Sequence, residues 1–339
     1  MIGIDLAHLA AFAAVVEEGS FELAARRLHV TPSAVSQRVK ALESRMGRVL
    51  VRRTRPSRPT EAGQVLVRLA GQVALLENEA VAEVSGDAVR GEAVGGSGGA
   101  AVRRPLRTPV AVNADSLATW FLPALAAVPV EHAVAFDIRQ EDQDHSVALL
   151  RDGSVMAAVT AESRPVQGCR AESLGSMRYL AVASPAYHRR YFTRDAGGDD
   201  VDGAGGDGGR ARPVDGLSRA SDGLPAEAFA AAPMLVFNRK DALQQRFVQS
   251  VTGQTLDPPV TYLPSSQGFA EAARLGLAWG MVPEQMARPA IASGELVELV
   301  EGRWLDVPLY WQRWRLESRA LAALTAAVTD AAASALHRS

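Results

Sequence analysis

The chain has 339 residues, of which 47% are hydrophobic, so it is long enough to form two or three domains with real cores. A formal net charge of −2 excludes a protein that is basic over its whole surface. The single cysteine, Cys169, excludes an internal disulfide and a cysteine-rich metal site.

The charge is distributed unevenly along the chain. Residues 1–60 contain ten Lys/Arg and five Asp/Glu, a balance of +5, which leaves −7 for the remainder. This distribution predicts a basic N-terminal module joined to an acidic body.

The first segment, "MIGIDLAHLAAFAAVVEEGS", is apolar but carries no basic leader. Asp5, Glu17 and Glu18 flank or end the apolar run. The pattern predicts an amphipathic helix rather than a signal peptide, and no apolar run elsewhere is long enough to span a membrane. We therefore expect a cytoplasmic protein.

Residues 20–47 predict two helices joined by a short turn. Ser20 is the N-cap expected for the first helix and Thr31 for the second, with Pro32 at the first helical position. The core stripe of the second helix comprises Val35, Val39 and Leu42. Two such helices form a helix-turn-helix.

The other face of the second helix carries Ser33, Ser36, Gln37 and Lys40. Short hydroxyl and amide side chains near a helix N-terminus suit contact with base edges and phosphates in the major groove of DNA, so Thr31 joins the candidates. Taken alone, this face equally fits an ordinary solvated surface.

The segment "LVRRTRPSRPT" favours DNA binding over a solvated surface. It places Arg52, Arg53, Arg55 and Arg58 on a tight, proline-punctuated loop, where four cations repel one another unless a polyanion neutralises them. We interpret the loop as a wing that lies on the phosphate backbone.

The pattern "SFELAARRLHVTPSAVSQRVKALESRMGRVLVRR" resembles the winged helix-turn-helix of LysR-type transcriptional regulators, and the resemblance extends to the end of the chain. It implies a multidomain protein in which an all-α winged helix-turn-helix domain (1–60) precedes a long linker helix that pairs two subunits. It also implies a two-lobed α/β effector domain like a periplasmic binding protein, with the effector between its lobes and assembly into tetramers.

One long helix, 61–88, is predicted after the wing. Its apolar stripe comprises Leu66, Leu69, Val73 and Leu76, which predicts burial against a second copy of the helix, with packing against the chain's own core as the alternative. A Gly-rich linker, 89–105, follows. The effector domain, 106–339, alternates strands and helices and predicts largely parallel sheets. We expect lobe 1 at about 106–176 and 284–339, and lobe 2 at about 177–283 with a disordered acidic insertion at 194–220.

Three segments resemble the branch of the family that responds to lysine and arginine and controls basic amino acid export: "VNADSLATWFLPAL", "EDQDHSVALLRDG" and "VFNRKDALQ". A basic amino acid requires hydroxyls or N–H groups for its carboxylate and acidic side chains for its cations. The candidate effector residues are Asn113, Asp115, Ser116, Thr119, Trp120, Glu141, Asp142, Asp144, Asn238, Asp241, Ser265 and Ser266.

Several of these residues have structural alternatives. Asp115 and Asp144 are also possible helix caps, and Trp120 is a possible core residue. Arg239 and Lys240 are placed to neutralise Asp241, and Ser265 and Ser266 fit a simple turn before a helix.

The function predicted is a LysR-type regulator that senses lysine or arginine and controls an amino acid exporter gene. The partners predicted are promoter DNA, the effector, further copies of the chain as a dimer or tetramer, and RNA polymerase during activation. No enzyme activity, cofactor or metal is predicted, because no metal-binding, phosphate-binding or triad pattern is present. The alternatives are an aromatic or carboxylate effector, an architectural or origin-binding DNA protein without an effector, and a transporter's solute receptor.

Overall fold

The computed structural model describes residues 3–84, 106–130, 134–141, 143–193, 224 and 226–338, without the side chains of residues 82, 106, 134 and 143–145. The chain forms two compact units. Unit 1 comprises Met1–Gly175 and Pro308–Ser339, and unit 2 comprises Ser176–Val307. The predicted Gly-rich linker and acidic insertion lie outside the described residues.

The N-terminal part of unit 1 is a winged helix-turn-helix, as the sequence predicts. Ser20 and Thr31 accept backbone N–H groups as N-caps, and Pro32 occupies the first position of its helix. The side chains of Val35, Val39 and Leu42 are fully buried. The elements are α1 Leu6–Glu18, α2 Phe21–Arg27, α3 Pro32–Met46, β1 Val51–Arg52 and β2 Arg58–Pro59.

The helix that follows, α4 Glu61–Val84, packs mainly against its own chain. Leu66 is buried in the winged-domain core, and Leu69 and Val73 pack against the same core. Within one chain, these three residues follow the alternative of packing against the chain's own core, and the pairing of α4 with a second copy stays a prediction. The large apolar side chains of α4 that are exposed in the described residues are those of Val65, Leu76, Val81 and Val84.

The second half of α4 enters another core, in the α/β part of unit 1. Leu75 is 1% exposed and belongs to the same apolar cluster as Leu150 and Trp314. Gly153 adopts φ +81°, and a Cβ there would lie 2.8 Å from the backbone of Arg68. Only glycine allows the two backbones to approach this closely without strain.

The α/β part of unit 1 contains three parallel strands in the order β4 (Val134–Gln140), β3 (Leu106–Val112) and β5 (Ala157–Thr160). In parallel strands the carboxyl ends share one edge of the sheet, so the segments after β3, β4 and β5 start close together. The elements are β3 Leu106–Val112, α5 Ala114–Ser116, a π-helical turn Leu117–Phe121, α6 Leu122–Ala126, β4 Val134–Gln140, α7 Gln143–Asp152 and β5 Ala157–Thr160.

Two long strands, β6 Cys169–Ala183 and β11 Trp304–Trp314, carry the chain out of unit 1 and back. In unit 2, β6 pairs antiparallel with β9 (Gly280–Pro283) and β10 (Val297–Glu298). The strands β7 (Met234–Val236) and β8 (Val260–Tyr262) pair in parallel. The expected predominance of parallel pairing is wrong for the described strands, because β6 pairs antiparallel with β9 and β10, and β11 pairs antiparallel with β5. The remaining elements are α8 Pro185–Phe192, α9 Ala226–Ala231, β7 Met234–Val236, α10 Leu243–Thr252, β8 Val260–Tyr262, α11 Ser266–Arg274, β9 Gly280–Pro283, α12 Glu284–Ala292, β10 Val297–Glu298 and α13 Arg319–Ala335.

Unit 2 contains residues 284–307, whereas the sequence predicts that they belong to lobe 1. The physical reason is the pairing of β9 and β10 with β6, which holds this segment on the unit 2 side until β11 leaves. Within the described ranges, no helix is both long and apolar enough to cross a membrane.

Candidate functional site

The predicted base-reading residues lie along α3. The side chains of Ser33, Gln37 and Lys40 are exposed, and that of Ser36 is half-buried. The Thr31 hydroxyl accepts the Ala34 N–H at 3.2 Å and lies 3.0 Å from the Ser33 hydroxyl. Its hydrogen bond to Ala34 is the N-cap of α3.

The wing presents all four predicted arginines to solvent: Arg52, Arg53, Arg55 and Arg58. The Arg53 guanidinium lies 5.0 Å from the ring centroid of Phe21, a cation–π contact that restrains its direction. The wing also contacts the turn between α1 and α2, where the Ser57 N–H donates to the Gly19 carbonyl at 2.7 Å.

Not every arginine of the winged domain is available to phosphate. The Arg27 guanidinium forms ion pairs with Glu17 and Glu18 at the end of α1. Burial alone lowers the pKa of Arg27, but the hydrogen bonds and charges of these two carboxylates outweigh it and raise the pKa above its ordinary value. Arg27 therefore joins α1 to α2.

The end of β3 carries three buried polar atoms that have no hydrogen-bond partner among the described residues: Asn113 Oδ1, Ser116 Oγ and Trp120 Nε1. The three side chains are 5%, 0% and 3% exposed. Asn113 occupies the N-cap position of α5, yet its side chain makes no cap hydrogen bond. Burying such a group unpaired costs about 1–3 kcal/mol, which makes this edge a candidate binding site.

The other predicted residues of this edge fall into two groups. Asp115 lies in the first turn of α5 rather than at its cap, and Glu141 follows β4 with its N–H donating to the Val112 carbonyl at 3.2 Å. Both side chains are half-buried. The Thr119 hydroxyl instead donates to the Asp115 carbonyl at 2.6 Å, the contact to the carbonyl four residues earlier that threonine commonly makes in a helix.

Asp142 lies outside the described residues, and Asp144 is described only as part of the backbone of α7. Their predicted contribution to the effector site stays a prediction.

In unit 2, three of the four predicted residues make local backbone contacts. Asp241 accepts the Phe237 and Leu243 N–H groups at 3.0 and 2.9 Å. The Asn238 side chain accepts the Lys240 N–H, and Ser265 caps α11 by accepting the Gly268 N–H. Arg239 and Lys240 form no ion pair with Asp241 among the described residues; the Arg239 guanidinium lies over the Tyr262 ring.

Ser266 differs from these three. It is 6% exposed, and its hydroxyl has no partner in the described part of the chain. Ser266 therefore places a buried hydroxyl, unpaired among the described residues, beside the N-terminus of the nine-residue α11.

The carboxyl end of β5 also carries polar residues that were not among the predicted site residues. The parallel pairing of β5 with β3 places Thr160 at the same edge as Asn113. The Thr160 hydroxyl accepts the Glu162 N–H at 3.1 Å, and the Glu162 carboxylate accepts the Arg164 N–H at 3.0 Å. The polar residues directly after the recognised strand "VMAAVT" were the available signal.

Comparison with known proteins identifies both parts of the chain. Residues 6–64 match the model of the "Bacterial regulatory helix-turn-helix protein, lysR family", and residues 107–333 match the "LysR substrate binding domain". Together the two models cover most of the chain.

The similarity to three proteins covers nearly all of the chain. The "Lysine export transcriptional regulatory protein LysG" of Corynebacterium efficiens is 44% identical over 330 residues, 97% of this chain and 98% of that protein. The crystal structure of ArgP from Mycobacterium tuberculosis is 45% identical, covers 98% of both chains and has a TM-score of 0.77. Full-length LysG from Corynebacterium glutamicum with bound effector Arg is 40% identical, covers 98% of this chain and 99% of its own, and has a TM-score of 0.70.

These proteins are transcriptional regulators, which matches the exposed α3 face and basic wing described above. The two family models also match in the order in which the structure places the parts: the winged helix-turn-helix comes first, α4 follows, and the α/β units come last. The chain belongs to the LysR family of bacterial transcriptional regulators.

Proposed function

We propose that this regulator binds a basic amino acid, lysine or arginine, and in response controls transcription of an amino acid exporter gene. The names of its relatives support this function, since one is a lysine export regulator and another carries bound arginine. We assign no catalytic step to the chain, because these relatives are regulators.

The observation that carries the proposal is the group of unpaired polar atoms after β3, comprising Asn113 Oδ1, Ser116 Oγ and Trp120 Nε1. An amino acid offers partners for all three, since its carboxylate accepts from a hydroxyl and an indole N–H and its ammonium donates to an amide oxygen. A hydrogen bond to a charged group contributes about 1.5–3 kcal/mol, more than one between neutral groups.

A second cation on the ligand requires acidic side chains nearby. Asp115 and Glu141 follow neighbouring parallel strands and are both half-buried. We assign them to the cationic groups of the ligand, together with Asp142 and Asp144. In unit 2 we assign Ser266 to ligand binding and the side chains of Asn238, Asp241 and Ser265 to local support, because those three already accept backbone N–H groups.

For DNA binding, we propose that Ser33, Ser36 and Gln37 contact base edges and that Lys40 and the wing arginines contact phosphates. The regulator acts as a dimer of dimers, to which the exposed apolar side chains of α4 contribute, and contacts RNA polymerase when it activates. The effector changes the populations of two conformations by binding one of them more tightly.

Calorimetric titration with L-lysine, L-arginine and L-leucine tests the effector assignment. We expect saturable binding of lysine or arginine and none of leucine, because leucine lacks the second cation. Glu141→Gln weakens binding of the basic amino acid, whereas Glu301→Gln, at an exposed carboxylate in unit 2, leaves it unchanged. Binding of leucine as tight as that of lysine, or no binding of either basic amino acid, overturns the assignment.

A further inference from the structure

The carboxylate of Glu43 joins α3 to the start of the wing by two hydrogen bonds. Glu43 lies near the end of α3, and its side chain is half-buried. Its Oε1 accepts the Leu50 N–H at 2.8 Å and the Val51 N–H at 3.3 Å. Val51 is the first residue of β1, so a single carboxylate connects the helix to the start of the wing.

The neighbouring contacts fix both ends of this connection. The Glu43 carbonyl accepts the Arg48 N–H at 3.2 Å, which closes the turn after α3. The Leu50 carbonyl accepts the Thr60 N–H at 2.9 Å, which places the start of α4 against the same strand. Leu50 and Val51 are 1% and 3% exposed, so water does not replace a lost acceptor at this point.

The position of Glu43 on α3 makes its charge unfavourable for DNA. Glu43 follows Lys40 by three residues and Ser36 by seven, which places the three side chains on one side of the helix. Residues 1–60 contain only five acidic side chains, and this one lies on the side we assign to DNA. A carboxylate near the phosphate backbone repels it, so its charge by itself weakens binding.

We propose that Glu43 is a positioning residue for DNA binding: its carboxylate sets the start of the wing relative to α3, so that the wing arginines and the base-reading residues engage one duplex together. The inference rests on the proposed DNA-contacting roles of α3 and the wing. The proposed role depends on the hydrogen bonds that the Glu43 side chain accepts. It is therefore distinct from any effect of the negative charge on DNA binding.

Two substitutions separate the reach of the side chain from its charge. Glu43→Gln removes the charge and keeps an acceptor oxygen at the same reach. Glu43→Asp keeps the charge and shortens the reach by one methylene. Glu43→Ala removes both. All variants are checked by their thermal melting, and binding is measured well below the melting temperature.

The readout is the affinity of the full-length protein for a mixed-sequence DNA duplex over a series of salt concentrations. Each phosphate contact contributes about 0.9 to the slope of log K against log salt concentration. We expect Glu43→Asp and Glu43→Ala to bind more weakly, with a slope reduced by about 1–2, because the wing no longer reaches its phosphates. We expect Glu43→Gln to retain the slope and to bind at least as tightly as the unsubstituted protein.

Arg53→Ala is measured in parallel and tests the wing itself. If Arg53→Ala leaves the slope unchanged, the proposed wing contact fails. If Arg53→Ala lowers the slope while Glu43→Asp keeps both the slope and the affinity, the wing contact stands and the positioning role of Glu43 is overturned. Tighter binding by Glu43→Ala overturns it as well, since that outcome assigns Glu43 a purely electrostatic effect.

Discussion

Glu79 of α4 caps the N-terminus of α13, from which it is separated by more than two hundred residues. Its Oε1 accepts the Ser318 hydroxyl at 2.6 Å and the Ala320 N–H at 3.0 Å. Ser318 is itself the N-cap residue of α13, whose 17 residues give a strong helix dipole. A carboxylate at that end is stabilising, so the contact joins the helix after the winged domain to the α/β core.

We expect Glu79→Ala to lower the free energy of unfolding by about 1–3 kcal/mol, because it removes a charged acceptor from a half-buried helix end. Urea unfolding followed by tryptophan fluorescence measures the change, since Trp314 packs against this part of α4. Glu77→Ala, at an exposed position on the same helix, is the control and leaves stability nearly unchanged. Equal losses of unfolding free energy in the two variants would contradict a specific capping role for Glu79.

Ser116→Ala is expected to change stability and effector affinity in opposite directions. The Ser116 hydroxyl is fully buried without a partner in the described chain, so its removal raises the stability of the ligand-free protein by about 1 kcal/mol. The same change weakens effector binding roughly tenfold or more, since a hydrogen bond to a charged ligand is lost. Thermal melting without ligand and calorimetric titration measure the two effects, and Ser163→Ala, at an exposed position, changes neither. A variant that binds as well as the unsubstituted protein removes Ser116 from the site.

Gly19 and Gly47 form a matched pair for the packing of the wing. Their φ angles are +65° and +64°, so alanine at either position carries the same left-handed strain of about 1–2 kcal/mol. A Cβ at Gly19 would lie 2.8 Å from Pro56 Cβ, whereas a Cβ at Gly47 meets no atom within 4 Å. We therefore expect Gly19→Ala to lower the melting temperature of the winged domain more than Gly47→Ala. Equal decreases would show that the wing moves aside at no cost.

Cys169 is expected to react slowly with thiol reagents in the folded protein. Its side chain is 1% exposed, and burial raises the pKa of the thiol, so the reactive thiolate is rarer at any given pH. Absorbance with a disulfide reagent at neutral pH measures the rate, and the same assay in denaturant gives the uninhibited reference. Because the chain has only this one cysteine, the signal reports unfolding around β6. A fast reaction under native conditions contradicts the burial.

The sequence predicts best the features that depend on a few neighbouring residues. Ser20 and Thr31 act as N-caps because each needs only an accessible N–H two or three residues ahead. The same holds for the stripe of Val35, Val39 and Leu42, since helical periodicity alone brings these side chains together.

Prediction from the sequence is weaker where the partner of a side chain is far away in the sequence or is a backbone group. The α4 stripe is apolar as expected, but periodicity does not say which surface covers it, and the winged domain covers most of it. Asp241 has the chemistry of a cation ligand, yet its carboxylate holds two backbone N–H groups. The unpaired state of Ser116 and Ser266 also depends on what surrounds them in three dimensions.

Helix α4 supplies side chains to two separate cores, Leu66 to the winged domain and Leu75 to the α/β part of unit 1. A fragment that begins at residue 106 therefore lacks Leu75 and the Glu79 cap, which leaves part of the Trp314 cluster open to solvent and the start of α13 uncapped. A fragment that ends before residue 61 uncovers the apolar surface that Leu66 closes. Dissection of this regulator at its apparent domain boundaries thus alters the stability of both products, and affinities measured on either piece describe a different molecule from the intact chain.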